Sequence, residues 1–158
     1  MPSDRESSTA RAFAEAQDLL VSAGFHTNTT LDDLRKWFLA DTAYADIGLE
    51  QVLGSRLLLV HEIVEIYEVK KMGLALEKDV IVKHSDPVYE AHLKAAEVEI
   101  ELSIELKDYD HIKYRLDQIR SWYQDPLLPK RLRYRCSNLY KKARSAVQDC
   151  QGHPEAEV

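Results

Sequence analysis

The chain has 158 residues, of which 45% are hydrophobic, and a formal net charge of −6 at pH 7. This length supports one hydrophobic core, so we predict a single domain over residues 1–148 and a disordered C-terminal tail over 149–158. With only 5 Gly and 5 Pro, the composition favours an all-α fold, a bundle of five or six helices.

The composition also excludes several classes of protein. No signal core and no run of about 18 apolar residues is present, which predicts a cytoplasmic protein without membrane spans. Cys136 and Cys150 lack the spacing of a redox or zinc motif and are predicted to be free thiols. A sequence pI of about 5.5 argues against nucleic-acid binding.

The predicted helices follow from capping residues and apolar spacing. Ser3 and Glu6 form a capping-box pattern, Thr30 is placed to cap a second helix, and Ser85-Asp86-Pro87 is a strong helix start. Residues 42–50 are predicted to be a connection and 75–86 a loop. The helices are predicted at 3–23, 31–41, 49–72, 87–106, from Asp108 or Asp110 to 122, and 130–147.

Polar residues interrupt the apolar sequence of the 49–72 helix. His61, Glu65 and Glu68 have i, i+4, i+7 spacing and share one face, with Glu62 at its flank. Their neighbours are almost all Leu, Val or Ile, which predicts burial of this face. A buried carboxylate must be paired or bound to an ion.

The 87–106 helix carries a second polar face within apolar residues. His92, Glu99 and Ser103 have i, i+7, i+11 spacing, and small Ala96 leaves room beside His92. Imidazole and carboxylate together suit Zn²⁺, Mn²⁺ or Fe, and in helical bundles such ligands project inward from facing helices. We therefore predict a divalent metal site at His61, Glu65 and His92, with Glu62 or Glu99 as a further ligand or a partner of a histidine.

This site predicts a metal-binding helical protein. If the protein is an enzyme, the site predicts a metal-dependent hydrolase in which Glu62 is the base for a metal-bound water. The competing interpretation is a non-enzymatic, homo-oligomeric interaction module without an ion. In that case His61 and His92 are core histidines, and the glutamates pair with basic residues of other helices. The candidate basic partners are Arg56, Arg115 and Arg120.

The sequence LVHEIVEI at 59–66 also resembles the His-Asp-x-x-Glu stretch of HD-domain nucleotide phosphohydrolases. The resemblance implies an all-α metal-dependent phosphohydrolase with ligands at His61, at Glu62 in place of the family's Asp, and at an upstream histidine, His26. A later aspartate would complete that set. Its candidates are Asp110, Asp117 and Asp125.

The C-terminal helix differs in charge from the rest of the chain. Residues 126–148 contain seven Lys or Arg and no acid. This helix is interpreted as a docked helix with a solvated basic face, as a site for a small anionic or phosphate-bearing ligand, or as a surface for a partner. Its predicted apolar face comprises Leu132, Cys136, Leu139, Ala143 and Val147.

Overall fold

The computed structural model describes residues 3–42 and 48–155, with side chains described as far as residue 150. All regular secondary structure in these residues is helical, as the sequence predicts. The elements are α1 (Asp4–Ser22), α2 (Leu31–Phe38), α3 (Leu49–Leu53), α4 (Arg56–Lys71), α5 (Val80–Lys83), α6 (Ser85–Glu105), α7 (Tyr109–Gln124), a single 3-10 turn (Lys130–Leu132) and α8 (Arg133–Glu155).

The predicted helix starts are confirmed by their caps. At the start of α1 the Ser3 hydroxyl accepts from the Glu6 amide, while the Glu6 carboxylate accepts from the Ser3 amide. Thr30 and Asp33 form the same reciprocal pair at the start of α2. Each pair satisfies two amides that have no partner within the first helical turn.

The predicted helix at 49–72 is two helices in the structure. The backbone leaves the helical conformation at Ser55 (φ −135°, ψ 114°), and the Ser55 hydroxyl then accepts from the Leu58 amide, which caps α4. Gly54 precedes this cap and has low helix propensity. The prediction of one continuous helix was therefore wrong at residues 54 and 55.

The predicted loop at 75–86 contains the short helix α5. The His84 amide donates to the Val80 carbonyl and the Val80 side chain is buried, so the β-branched residues here form a helical turn instead of a strand. With the break at Ser55, this brings the described part of the chain to eight α-helices, more than the predicted five or six. The predicted connection at 42–50 falls largely on residues 43–47, outside the described residues.

The chain divides into two compact units, Met1–Ala95 and Ala96–Val158. In the first unit α4 packs against α1, α2 and α3, and every residue from Leu57 to Ile66 is buried. The segment before α2 is also attached to α4, because the buried Thr29 hydroxyl donates to the Ile63 carbonyl. Any polar side chain on this part of α4 must find its partner inside the protein.

In the second unit α7 packs against α8. The predicted apolar face of the C-terminal helix is confirmed, because all five of its residues are buried. α8 continues to Glu155, beyond the predicted helix end at residue 147. The single domain and the disorder of residues 149–158 stay predictions.

Among the residues that the structure describes, no helix combines the length and the apolar character needed to cross a bilayer.

Candidate metal centre

The structure brings three of the predicted ligands together in the first unit. His61 and Glu65 lie one turn apart on α4, and His92 comes from α6. His61 Nε2 lies 3.0 Å from Glu65 Oε2 and 3.1 Å from His92 Nδ1, and His92 Nδ1 lies 3.4 Å from the same Glu65 oxygen. These three residues, which we name the histidine cluster, each offer one potential ligand atom, and the three atoms lie close enough together to surround one ion.

The histidine cluster is largely shielded from solvent, except at His92. The side chains of His61 and Glu65 are 1% and 8% exposed, whereas that of His92 is 24% exposed. The two imidazole rings pack edge to face with centroids 4.8 Å apart, and the ring of Tyr89 packs edge-on against His92 at 6.0 Å. Contact of the cluster with solvent is therefore greatest at His92.

The electrostatics of Glu65 depend on the two histidines. Burial alone raises the pKa of its carboxyl group, but the charge of His92 and hydrogen bonds from His61 and His92 outweigh it and lower the pKa to about 2. Within the described residues, the ion-pair partners of Glu65 are these two imidazoles and not a Lys or Arg. In this part of the chain the carboxylate therefore pairs with groups that are positive only when protonated.

The short distances within the histidine cluster restrict how protons are distributed. A ring nitrogen either donates one hydrogen bond or presents one lone pair. His61 Nε2 faces both the Glu65 oxygen and His92 Nδ1, and one hydrogen cannot point along both directions. A cation surrounded by the three atoms would accept a lone pair from all of them at once.

Two further predicted site residues are not members of the histidine cluster. Glu62 is 9% exposed on α4 and, as the residue next to His61, is rotated by about 100° around the helix axis. Glu99 belongs to the second unit and is fully buried. Its carboxylate accepts from Arg115 Nε at 2.7 Å and is also paired with His111.

Glu99, His111 and Arg115 form a second buried polar group, which we name the arginine cluster. Arg115 is one of the basic residues that the sequence offers as partners of buried glutamates, and its pairing with Glu99 is confirmed. The side chain of His111 is only 9% exposed and is paired with Glu99. The i, i+4 spacing of His111 and Arg115 was the available signal, because it places both on one face of α7.

The basic C-terminal segment is partly neutralised within its own unit. Arg135 forms an ion pair with Glu97 at 3.0 Å, and Lys142 lies 3.6 Å from Glu101. Both acids belong to α6. These contacts correspond to the interpretation of a docked helix whose basic face is solvated.

The thiol of Cys136 is unsuited to nucleophilic chemistry. It lies on the buried face of α8, and burial raises its pKa to about 11 against the opposing effect of Arg133. A thiol with such a pKa is almost entirely protonated at neutral pH.

Comparison with protein families, with curated proteins and with solved structures gave no match to this chain. The ligand atoms brought together also differ from those that the HD-domain resemblance implies. His26 is exposed and is not part of the histidine cluster, whose second imidazole is His92.

Proposed function

We propose that this protein binds one divalent metal ion through His61 Nε2, Glu65 Oε2 and His92 Nδ1. The observation that carries the proposal is the convergence of these three atoms, all 3.0 to 3.4 Å apart, in a site shielded from water. A cation at their common point compensates the buried carboxylate and uses both imidazole lone pairs.

The spacing of the three atoms fits a first-row transition metal. With metal–ligand bonds of 2.0–2.1 Å, adjacent ligands are about 3.3–3.4 Å apart in a tetrahedron and about 2.8–3.0 Å apart in an octahedron. The observed separations lie in this range, so ion binding requires little rearrangement. Two histidines and one carboxylate are a set found with catalytic Zn²⁺ and with non-haem Fe²⁺, and Mn²⁺ is a third candidate.

A hydrolytic activity is the catalytic extension of this proposal. The ion would lower the pKa of a bound water, and Glu62, which is largely buried on the same helix, is proposed as the base that accepts its proton. The test is Glu62→Gln, which we expect to retain the ion and to lose hydrolysis of a small activated ester. Glu99 is left out of the proposed ligand set because its carboxylate is paired with Arg115.

Isothermal titration calorimetry of the metal-free protein with Zn²⁺ tests the binding proposal. We expect one site per chain in the natural protein and a large loss of affinity in His92→Ala, because a ligand atom is removed. His92 suits this test because its side chain is partly exposed, so its truncation disturbs the core less than that of His61.

His26→Ala is the matched control, because it also removes one imidazole but from an exposed position. The histidine cluster predicts that this variant binds Zn²⁺ as the natural protein does. The HD-domain resemblance predicts that it loses affinity. Unchanged binding in His92→Ala would overturn the proposal.

An ion-free, homo-oligomeric interaction module is the second candidate function. It is favoured by the arginine cluster, which shows that this chain pairs a buried glutamate with its own basic residue. Light scattering after size-exclusion chromatography tests it: this candidate predicts an oligomer whose mass is unchanged by EDTA.

A cytoplasmic location is a further proposal, supported by the free thiols. A small anionic ligand on residues 130–147 is another, supported by the positive charge of that segment.

A further inference from the structure

The arrangement of the three ligand atoms bears on what else the ion binds. Three atoms separated by 3.0, 3.1 and 3.4 Å define a nearly equilateral triangle. A metal at 2.0–2.1 Å from each corner occupies the apex of a shallow pyramid, so all three protein ligands lie on one side of it. The opposite side holds the remaining position of a tetrahedron, or the three remaining positions of an octahedron.

Among the described His, Cys, Asp and Glu side chains, these three form the group whose ligand atoms lie close enough together to hold one ion. Structural zinc sites are usually closed by four protein ligands, whereas catalytic sites keep a position for water or substrate. With three protein ligands, the histidine cluster has the ligand number of a catalytic site. The cluster is most accessible to solvent at His92, whose side chain is 24% exposed while those of its two partners are almost completely covered.

Charge and size restrict the external ligand. A divalent ion with two neutral imidazoles and one carboxylate carries a net charge of +1 in a poorly solvated site, which one monoanion neutralises. The exposure is confined to part of one imidazole, and the buried Tyr89 packs against that ring. Such an opening favours ligands of a few atoms over large anions.

We infer that the ion in the histidine cluster keeps an exchangeable position that holds water and accepts a small monoanion on the solvent side of His92. This inference rests on the proposed metal site. It adds that the ion is reactive and not merely structural. The chemical class of its external ligand is water, hydroxide and monoanions of similar size.

Cobalt substitution tests the inference, because the visible absorption of Co²⁺ responds to its coordination. The full chain is loaded with Co²⁺, the bound metal is quantified, and azide is added in steps. We expect a change in the visible spectrum that saturates with azide and is reversed by dialysis. Phosphate, which is larger and more highly charged, should produce a much smaller change at the same concentration.

Glu65→Gln is the control, since it removes the carboxylate ligand while preserving the shape of the side chain. It should show neither bound Co²⁺ nor an azide response. Stoichiometric Co²⁺ in the natural protein with a spectrum unaffected by azide would overturn the open position and leave the metal site standing. Failure of the natural protein to bind Co²⁺, Zn²⁺, Mn²⁺ and Fe²⁺ would overturn both.

Discussion

The histidine cluster and the arginine cluster each bury one glutamate, but they compensate its charge differently. Glu99 is fully buried and contacts the guanidinium of Arg115, which is positive at every relevant pH. Glu65 is nearly as buried and contacts His61 and His92, whose charge depends on pH and on bound ions. The arginine cluster therefore compensates its carboxylate by an ion pair within the protein. The histidine cluster, in which the described partners of the carboxylate are imidazoles, is suited to binding a cation.

This difference in compensating charge, more than burial or residue type, indicates which of the two clusters is the metal candidate. Both groups contain a glutamate and at least one histidine, and all six side chains are less than a quarter exposed. Sequence reasoning could therefore assign either glutamate to a metal. Only the position of Arg115 shows that the second carboxylate already has a permanent countercharge, which leaves the histidine cluster as the metal candidate.

Removal of the guanidinium should produce the largest effect. Arg115→Met removes the guanidinium that pairs with the buried Glu99 carboxylate, and we expect a loss of about 3–5 kcal/mol in the free energy of unfolding. Urea denaturation with and without EDTA measures it, and the loss should be the same in both. The double variant Arg115→Met with Glu99→Met should recover much of that stability, and an equally unstable double variant would contradict the ion-pair explanation.

In the metal-free protein, acid should remove a contribution to stability that comes from the histidine cluster. Folding lowers the pKa of Glu65 from its ordinary value of 4.5 to about 2, so the ionised carboxylate stabilises the fold above pH 4.5 and this contribution is lost as the pH falls towards 2. The shift corresponds to about 3 kcal/mol. Denaturation in EDTA across this pH range should show the loss, and Glu65→Gln should lack this component; an identical pH profile would contradict it.

Metal should stabilise only a protein with an intact histidine cluster. At free Zn²⁺ a hundred times the dissociation constant, we expect a gain of about 2.7 kcal/mol in the free energy of unfolding. Thermal melts with and without Zn²⁺ should show this gain in the natural protein but not in Glu65→Gln. A similar gain in that variant would place the ion elsewhere.

Ion pairs that are partly exposed should contribute least. The side chains of Arg135 and Glu97 are each about one-third exposed, so solvent screens their attraction. Arg135→Gln should therefore lower the free energy of unfolding by less than about 1 kcal/mol, and added salt should diminish the difference. A salt-independent loss as large as that of Arg115→Met would show that burial does not separate the two pairs.

Local sequence pattern was sufficient for most of the fold. Ser3, Thr30 and the apolar spacing of α8 each act within a few residues, and the structure confirms all three. The break before α4 was missed because a helical pattern continues through Gly54 and Ser55. At Ser55 the side chain can cap a new helix or the backbone can continue the existing one, and the apolar periodicity does not show which of the two forms.

The candidate site was only partly predictable for a different reason. His61 and Glu65 share a face because of helix geometry alone, whereas their approach to His92 depends on how two helices pack. Glu99 was assigned to the metal site for the same reason, because the sequence does not show which helix packs against it. Its partners are His111 and Arg115, which lie more than ten residues further along the chain. Spacing identifies the face of a helix but not which helix packs against it.

The metal content of the protein, purified without an affinity tag and measured by inductively coupled plasma mass spectrometry after dialysis, tests the central claim most directly. The account predicts close to one ion of Zn, Mn or Fe per chain in the natural protein and in Arg115→Lys, and almost none in Glu65→Gln. Protein that contains no ion and takes none up from added salts would contradict the account. His61, Glu65 and His92 would then form a proton-linked network within an interaction module.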